Sequence, residues 1–409
     1  MTYQNYDPIL ELAAVRSQNI HHGVNPALED SITFAHDPVD IAAGFRGQRG
    51  EDFHVYGRFS HPSLHFLARQ FMAIEDAGSA LLFASGQAAT ASVFHTLCRD
   101  GDHVVVSSRL YGGTVSFLDT LLEYRNIRVT RVDITNLAEV KRALKKKRTT
   151  LLFAESVSNP SIVACDLAQL ATLAHEAGAY MAVDNTFMPL AVLPLRLGAD
   201  IVMHSLTKFG SGQSDLLGGI LCFGHAFADD KIRMGQFRSY LALHGAVMFH
   251  GSAHEISKRI PHLRIRIREA SEAARKVAQG LFEKGIQVYY PSLPLYAHRD
   301  AISAILRTTE LGYGSVIACD LRTPELAMEF ARRFEAQHGG YSAVSLGSAH
   351  TYLCAPLASV HCAQNDKVAK GLINYRAPPE LTPGLVRIAC GYELPPEMLW
   401  AKIEAALPF

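Results

Sequence analysis

The chain has 409 residues, 48% of them apolar and 9% aromatic, which suffices for the cores of two packed domains and excludes a polar, disordered chain. Its 39 lysines and arginines balance 39 aspartates and glutamates, so the charge points to neither nucleic acid nor an anionic membrane surface as a partner. The seven cysteines (Cys98, Cys165, Cys222, Cys319, Cys354, Cys362 and Cys390) are dispersed without a C-x-x-C pair, which predicts reduced thiols in a cytoplasmic protein and not a disulfide framework.

The opening MTYQNYDPILELAAV carries acidic residues and no basic n-region, so no secretory signal is expected, and no apolar run reaches membrane-spanning length. Up to Pro62 the pattern is irregular and glycine-bearing, which predicts an arm without its own core that packs on something else, a neighbouring subunit being one candidate. Tyr56 and Arg58 stand on this arm, and the planar guanidinium of Arg58 suits phosphate. From Ser63 to Ala77 the positions Leu64, Leu67, Phe71 and Ile74 recur at helical spacing. Leu81-Leu82-Phe83 predicts a strand. Ser85-Gly86-Gln87 then opens a helix, placing the amides of Gly86 and Gln87 where a helix N-terminus holds an anion.

The strand at His103-Val104-Val105-Val106 leads to Tyr111, whose ring can stack on a pyridine and whose phenol can exchange protons. A strand at Ile127–Val132, a helix at Leu137–Leu144 and a strand at Thr150–Ala154 follow, the alternation of right-handed βαβ units. The basic run Lys141, Arg142, Lys145, Lys146, Lys147 and Arg148 reads as the solvated C-terminal end of that helix, where cations suit the dipole. Next stands Glu155-Ser156-Val157-Ser158-Asn159-Pro160, with Asn159 either a ligand contact or a simple turn residue before proline.

The richest stretch runs from Tyr180 to Gly219. Tyr180-Met181-Ala182-Val183 predicts a buried strand delivering Asp184 at its C-terminal end, and Ile201-Val202-Met203 a second one delivering Ser205, Thr207 and Lys208. A lysine at a buried strand end is disfavoured as a cation, and one explanation is an amine kept as a nucleophile. A Schiff-base lysine with an aspartate holding a pyridinium nitrogen protonated is what a protein supplies to pyridoxal 5'-phosphate (PLP); the alternative is a surface lysine beside a turn aspartate.

Ile220–Phe223 is expected to close the large sheet, and a long helical stretch from Asp229 to about Lys284 to carry the chain into a smaller domain. His250 and His254 stand one helical turn apart, but no third ligand suggests itself and no metal is expected. Ser345 lies in Val344-Ser345-Leu346-Gly347 and Arg387 in Leu381-Thr382-Pro383-Gly384-Leu385-Val386-Arg387-Ile388.

VDNTF, HSLTKFGSG, LYGGT, Glu155 to Pro160, SLG and TPGLVR together resemble the PLP-dependent Cys/Met metabolism (trans-sulfuration) family, from about Phe53 to about Glu393. The resemblance implies a fold-type I PLP-dependent transferase of the α/β class, like aspartate aminotransferase, with a mainly parallel seven-stranded sheet and a smaller α+β C-terminal domain. It divides the chain into an arm (1–62), a large PLP-binding domain (63–257) and a C-terminal domain (258–409). It makes Lys208 the coenzyme lysine and Asp184 the ring-nitrogen partner. Tyr111 becomes the stacking and proton-shuttling phenol, and Gly86, Gln87, Ser205 and Thr207 form the phosphate cup. Tyr56 and Arg58 would reach the phosphate of an adjacent subunit, in a homo-oligomer expected to be a homotetramer. Asn159 would donate to the phenolic oxygen of the coenzyme and, with Ser345 and Arg387, hold the substrate, with Arg387 taking the α-carboxylate.

The implied activity is γ-elimination or γ-replacement on a γ-substituted amino acid of the methionine, homocysteine or O-acylhomoserine type. The alternatives are β-elimination from cystathionine or cysteine, and a non-catalytic PLP or amino-acid binding protein. Three departures bear on substrate. Gly113 stands where methionine γ-lyases carry a cysteine, Leu241-Ala242 where they carry Lys-Asp, and Lys258–Leu263 departs from the usual Arg-Gly-x-Lys-Thr-Leu. A dehydrogenase is not expected, since no G-x-G-x-x-G follows the early strands.

Overall fold

The computed structural model describes residues 6–17, 22–50, 52–145, 148–355 and 381–409. Cys362, Lys146 and Lys147 lie outside the described residues. The arm is less irregular than expected, because Asp-Pro pairs open two short helices in it. Asp7 caps α1 (Pro8–Ala14) by accepting the Ile9 N–H, and Asp37 caps α2 (Pro38–Phe45) by accepting the Val39 N–H. An N-cap acceptor followed by proline at the first helical position is a start signal that a periodicity search does not weigh.

After the arm, α3 (Pro62–Glu75) leads to β1 (Ser79–Phe83), α4 (Gly86–Leu97), β2 (His103–Ser107), α5 (Gly112–Arg125) and β3 (Arg128–Val132). Then come α6 (Leu137–Lys145), β4 (Thr149–Glu155), α7 (Leu167–Glu176), β5 (Tyr180–Asp184), β6 (Ile201–Ser205) and β7 (Gly219–Phe223). The seven strands pair in the order β1-β7-β6-β5-β4-β2-β3, with β7 the one reversed strand. β7 is therefore no edge: it inserts between β6 and β1, and the edges are β1 and β3.

Both faces of this sheet are covered, as its near-continuous apolar strands require. Side chains alternate across it: Leu152, Ala154, Met181, Val183 and Val202 join one core cluster, and Leu151, Phe153, Ala182, Ile201 and Met203 the other. The first cluster also takes in Val316, Ala318 and Leu385, so the large sheet and the C-terminal part share apolar packing.

The expected single helical stretch from Asp229 to Lys284 is three helices. α8 (His225–Ala228) precedes α9 (Lys231–His244), which stops at Gly245 in the left-handed conformation (φ +74°). α10 (His250–Arg259) ends at a 3-10 turn holding Pro261, whose missing N–H cannot continue the ladder, and α11 (Leu263–Glu283) starts afresh. The remaining elements are β8 (Gln287–Tyr289), α12 (Arg299–Ile305), β9 (Val316–Asp320), α13 (Pro324–Ala336), β10 (Tyr341–Ser342), β11 (Tyr352–Cys354), β12 (Leu385–Ala389) and a C-terminal helix over Pro396–Ala406. Their five-stranded mixed sheet has the order β10-β11-β12-β9-β8 and its own core around Val277, Ile317, Phe330, Val386 and Ile403.

Candidate active site

Three adjacent strand ends frame one cavity. β4 ends at Glu155, β5 at Asp184 and β6 at Ser205, and Glu155 pairs in register with Asp184. Neighbouring parallel strands bring their C-terminal ends to one side of the sheet, where the chain turns away and leaves a crevice. Just beyond β6, Lys208 sits in a tight π-type turn over Leu206–Gly210 with non-helical backbone of its own (φ −92°, ψ −114°). Thr207 pins that turn: its Oγ1 donates to Gly218 O at 3.3 Å and accepts the Gly218 N–H at 3.2 Å.

The cavity measures about 230 Å³, and Gly86, Gln87, Tyr111, Asn159, Asp184, Ser205, Thr207, Lys208 and Arg387 all line it. Its wall at α4 is a helix N-terminus. Ser85 caps that helix by accepting the Ala88 N–H at 3.1 Å, and the first-turn amides beside it have no partner within the helix. Gly86 lies so close to β6 that an added Cβ would stand 2.7 Å from Ser205 Cβ. On the opposite side, the loop after β10 presses onto the lysine turn: Gly347 has φ +73°, and a Cβ there would stand 2.8 Å from the Phe209 nitrogen. That approach sets Ser345 Oγ to accept from Lys208 Nζ at 3.2 Å. Arg387, only 6% exposed on β12, donates from Nη1 to Asn159 Oδ1 at 3.1 Å and from Nη2 to the Ser345 carbonyl at 2.9 Å.

Burial, with a smaller push from the Arg387 charge, lowers the Lys208 amine from 10.5 to about 8. A substantial share of the amine is therefore neutral and nucleophilic near neutrality. Burial raises the Asp184 carboxyl, opposed by hydrogen bonds from the Thr186 hydroxyl and N–H and by His204. Glu155 is raised well above the usual carboxylate range by burial and by Asp184 beside it, against two N–H donors.

These residues fit a coenzyme that combines an aldehyde, a basic aromatic ring and an anionic phosphate. The amine, the buried acid and the helix N-terminus meet those three parts respectively. Two buried polar atoms in the lining, Gln87 Nε2 and Arg387 Nε, have no protein partner, as donors reserved for a bound molecule would.

Tyr56 and Arg58 are not brought to this cavity within the chain. Arg58 donates from Nη1 to the Ala242 carbonyl at 2.6 Å and lies over the rings of Phe59 (4.8 Å) and Tyr56 (5.6 Å). It lines a separate cavity of about 350 Å³ beneath the arm. His250 stacks on His61 at 4.8 Å, and among the described residues no group of three or more His, Cys, Asp or Glu side chains could hold a metal ion. The six described cysteines are free thiols, and no described helix is long and apolar enough to cross a membrane.

Among the lining residues absent from the expected set, two bind members of it directly. Thr186 N–H donates to Asp184 Oδ1 at 2.9 Å while its Oγ1 accepts the Ser205 N–H at 2.9 Å, tying the ends of β5 and β6 together. Glu155 accepts the backbone N–H groups of Tyr111 and Asn159. The signal for Glu155 was its place at the end of a buried strand beside Asp184.

A strand-end lysine, a strand-end aspartate and a helix-terminus anion site on a mainly parallel sheet define a fold-type I PLP-dependent enzyme. The comparisons place it more finely. The family model for Cys/Met metabolism PLP-dependent enzymes matches residues 12–407. A methionine gamma-lyase of Arabidopsis thaliana is 36% identical over 408 residues, covering 98% of this chain and 90% of that protein. An O-succinylhomoserine sulfhydrylase of Pseudomonas aeruginosa is 32% identical, covering 87% of this chain and 83% of its own. Among solved structures, metB from Corynebacterium glutamicum superposes with a TM-score of 0.85 at 25% identity, covering 100% of this chain and 99% of that one. The chain belongs to the Cys/Met metabolism PLP-dependent enzyme family, and its coenzyme is pyridoxal 5'-phosphate.

Proposed function

We propose that the enzyme catalyses γ-elimination or γ-replacement on a γ-substituted amino acid of the methionine, homocysteine or O-acylhomoserine type, making or breaking a C–S bond. The observation that carries this reading is the placement of Lys208 in one cavity between Asp184 and Arg387. The relatives named methionine gamma-lyase and O-succinylhomoserine sulfhydrylase support the γ-position. When bound, the coenzyme supplies an aldehyde that captures the amino group and a ring that delocalises negative charge from the substrate carbon.

The remaining steps fall to the chain's own residues. The Gly86 and Gln87 amides, with Ser205 and Thr207, would hold the phosphate, and Asp184 would keep a proton on the ring nitrogen. Arg387 grips the α-carboxylate through its planar fork, steadied by Asn159 and Ser345, which fixes the orientation of the Cα–H bond. Lys208 Nζ takes the proton from Cα and then moves one at Cβ. The Tyr111 phenol would stack on the bound coenzyme and protonate the departing γ-group.

Tyr56 and Arg58 act in a second copy of the chain, completing its phosphate site, so the working form is a homo-oligomer, taken to be a homotetramer. The division into an arm (1–62), a coenzyme domain (63–257) and a C-terminal domain (258–409), and a cytoplasmic location, belong to the same reading.

The test is an amino-acid panel of methionine, homocysteine, O-acetylhomoserine, cystathionine and cysteine, with 2-oxo acid, ammonia, sulfide and new thioether as readouts. Turnover of the γ-substituted members at least about tenfold faster than of cysteine is expected, equivalent to about 1.4 kcal/mol in the barrier. Turnover confined to cystathionine and cysteine would replace the reading with β-elimination, and no turnover at all with a binding role.

A further inference from the structure

We propose that Glu155 is a positioning residue of this site: its one carboxylate fixes both Tyr111 and Asn159, and through Asn159 the substrate-binding arginine. The inference rests on the roles given above to Tyr111, Asn159 and Arg387. Glu155 ends β4 and is 7% exposed in the lining of the cavity. Oε1 accepts the backbone N–H of Tyr111. Oε2 accepts the backbone N–H of Asn159 at 2.9 Å. Asn159 Oδ1 in turn accepts from Arg387 Nη1 at 3.1 Å.

Each link fills a need that the local chain leaves open. Tyr111 is the N-cap residue of α5, and its side chain makes no capping hydrogen bond, so the helix entrance is fastened from outside by an acceptor on another strand. A carboxylate at that entrance is also favoured by the positive end of the helix dipole. The Tyr111 side chain is 46% exposed at the cavity, so the backbone anchor bears on where the ring stands. Asn159 precedes Pro160 in the connection leaving β4, and the same carboxylate holds its amide.

The arrangement also has a cost that calls for an offsetting gain. Glu155 sits in register beside Asp184, and two buried acids side by side repel when both are charged. A glutamine of the same shape would avoid that repulsion but could not replace the carboxylate, because its NH2 would face one of the two N–H donors. The need for two acceptors accounts for an acid where one charged neighbour is already present. Displacing a reacting group by about 1 Å costs on the order of 100-fold in rate, so a shared anchor for two walls of the site carries catalytic weight without touching the substrate.

The experiment compares the coenzyme-loaded wild type with Glu155→Gln, Tyr111→Phe and the double variant. The measurements are bound-coenzyme content, visible circular dichroism, kcat, KM and melting temperature. For Glu155→Gln we expect retained coenzyme with an altered visible dichroic band, kcat lowered about 10- to 100-fold and KM raised several-fold. On the Tyr111→Phe background, the kcat loss from Glu155→Gln should shrink, because the part carried by the phenol is already gone, while the rise in KM carried through Asn159 and Arg387 should persist.

Values of kcat, KM and dichroism within about twofold of wild type would overturn the proposal while leaving the site's function intact, as would a lower melting temperature with unchanged kinetics. A kcat loss undiminished by Tyr111→Phe would overturn it as well. Should Glu155→Gln not fold, Glu155→Asp keeps two acceptors at shorter reach; the same pattern at smaller size supports the proposal, and wild-type behaviour overturns it. A wild type that binds no coenzyme at Lys208 defeats the underlying reading and this inference with it, and is recognised from the wild-type spectrum alone.

Discussion

The strand ends and the N-terminal arm hold the residues proposed for the coenzyme by different means. At the strand ends, hydrogen-bonded register places Glu155 against Asp184, and Thr186 ties β5 to β6, so the position of each group follows from the pairing of neighbouring strands. On the arm, Arg58 is held by one bond to the Ala242 carbonyl and by contact with two aromatic rings, in a cavity other than that of Lys208. The strand-end groups meet in one cavity of one chain. On the function proposed above, Tyr56 and Arg58 serve another copy, and a short arm with little core is suited to that exchange.

The sharpest way to break this contrast is to remove the amine. Lys208→Ala should abolish the visible absorbance of lysine-bound coenzyme and lower turnover by on the order of 10⁴-fold or more, because covalent attachment and proton transfer go together. Borohydride reduction of the wild type followed by peptide mapping should place the label on Lys208. A label elsewhere would remove the strand ends from their role.

Arg58→Ala should do less, weakening coenzyme binding by about tenfold, the loss of one charge-assisted phosphate contact. It also permits a test of sharing between subunits. In a hybrid of Lys208→Ala and Arg58→Ala chains, each site takes its lysine from one chain and its arginine from the other, so one site in two regains both native groups. Recovered coenzyme affinity in such hybrids, against none in mixtures kept dissociated, is the expected outcome. Hybrids no better than the Arg58→Ala parent would place Arg58 in its own chain's business.

The same contrast explains what could be read in advance. Every strand of the large sheet was visible, β3 as an alternating RVTRV and the others as short apolar runs between turn residues, and the motif around Lys208 follows one such run directly. Local pattern also marked Asp184 and the helix start at Gly86. It failed where the deciding partner was distant or a single residue broke the period. The bond from Tyr111 to Glu155 spans 44 residues of sequence, and Gly245 and Pro261 divided a stretch whose apolar spacing looked continuous. Arg58 was expected to meet a phosphate because its guanidinium suits one, and where it stands depends on surfaces that no window of sequence contains.

The smallest effect concerns pH. Burial and Arg387, both supplied by the same chain, hold the Lys208 amine at about 8 in place of 10.5. At pH 7 this leaves about a tenth of the amine neutral, against about 0.03% for an unshifted lysine. The rate at which coenzyme-free protein captures the aldehyde should therefore rise with pH and level off just above 8. Between about 8 and 10.5 the unfolded chain holds this proton and the folded one does not, so the coenzyme-free protein should also gain stability from Lys208 as pH rises through that window. If the strand ends are self-sufficient, Arg58→Ala should slow capture without moving its midpoint. A midpoint that moved in Arg58→Ala would mean that the arm sets the charge environment of the lysine, and the two regions would no longer be separable.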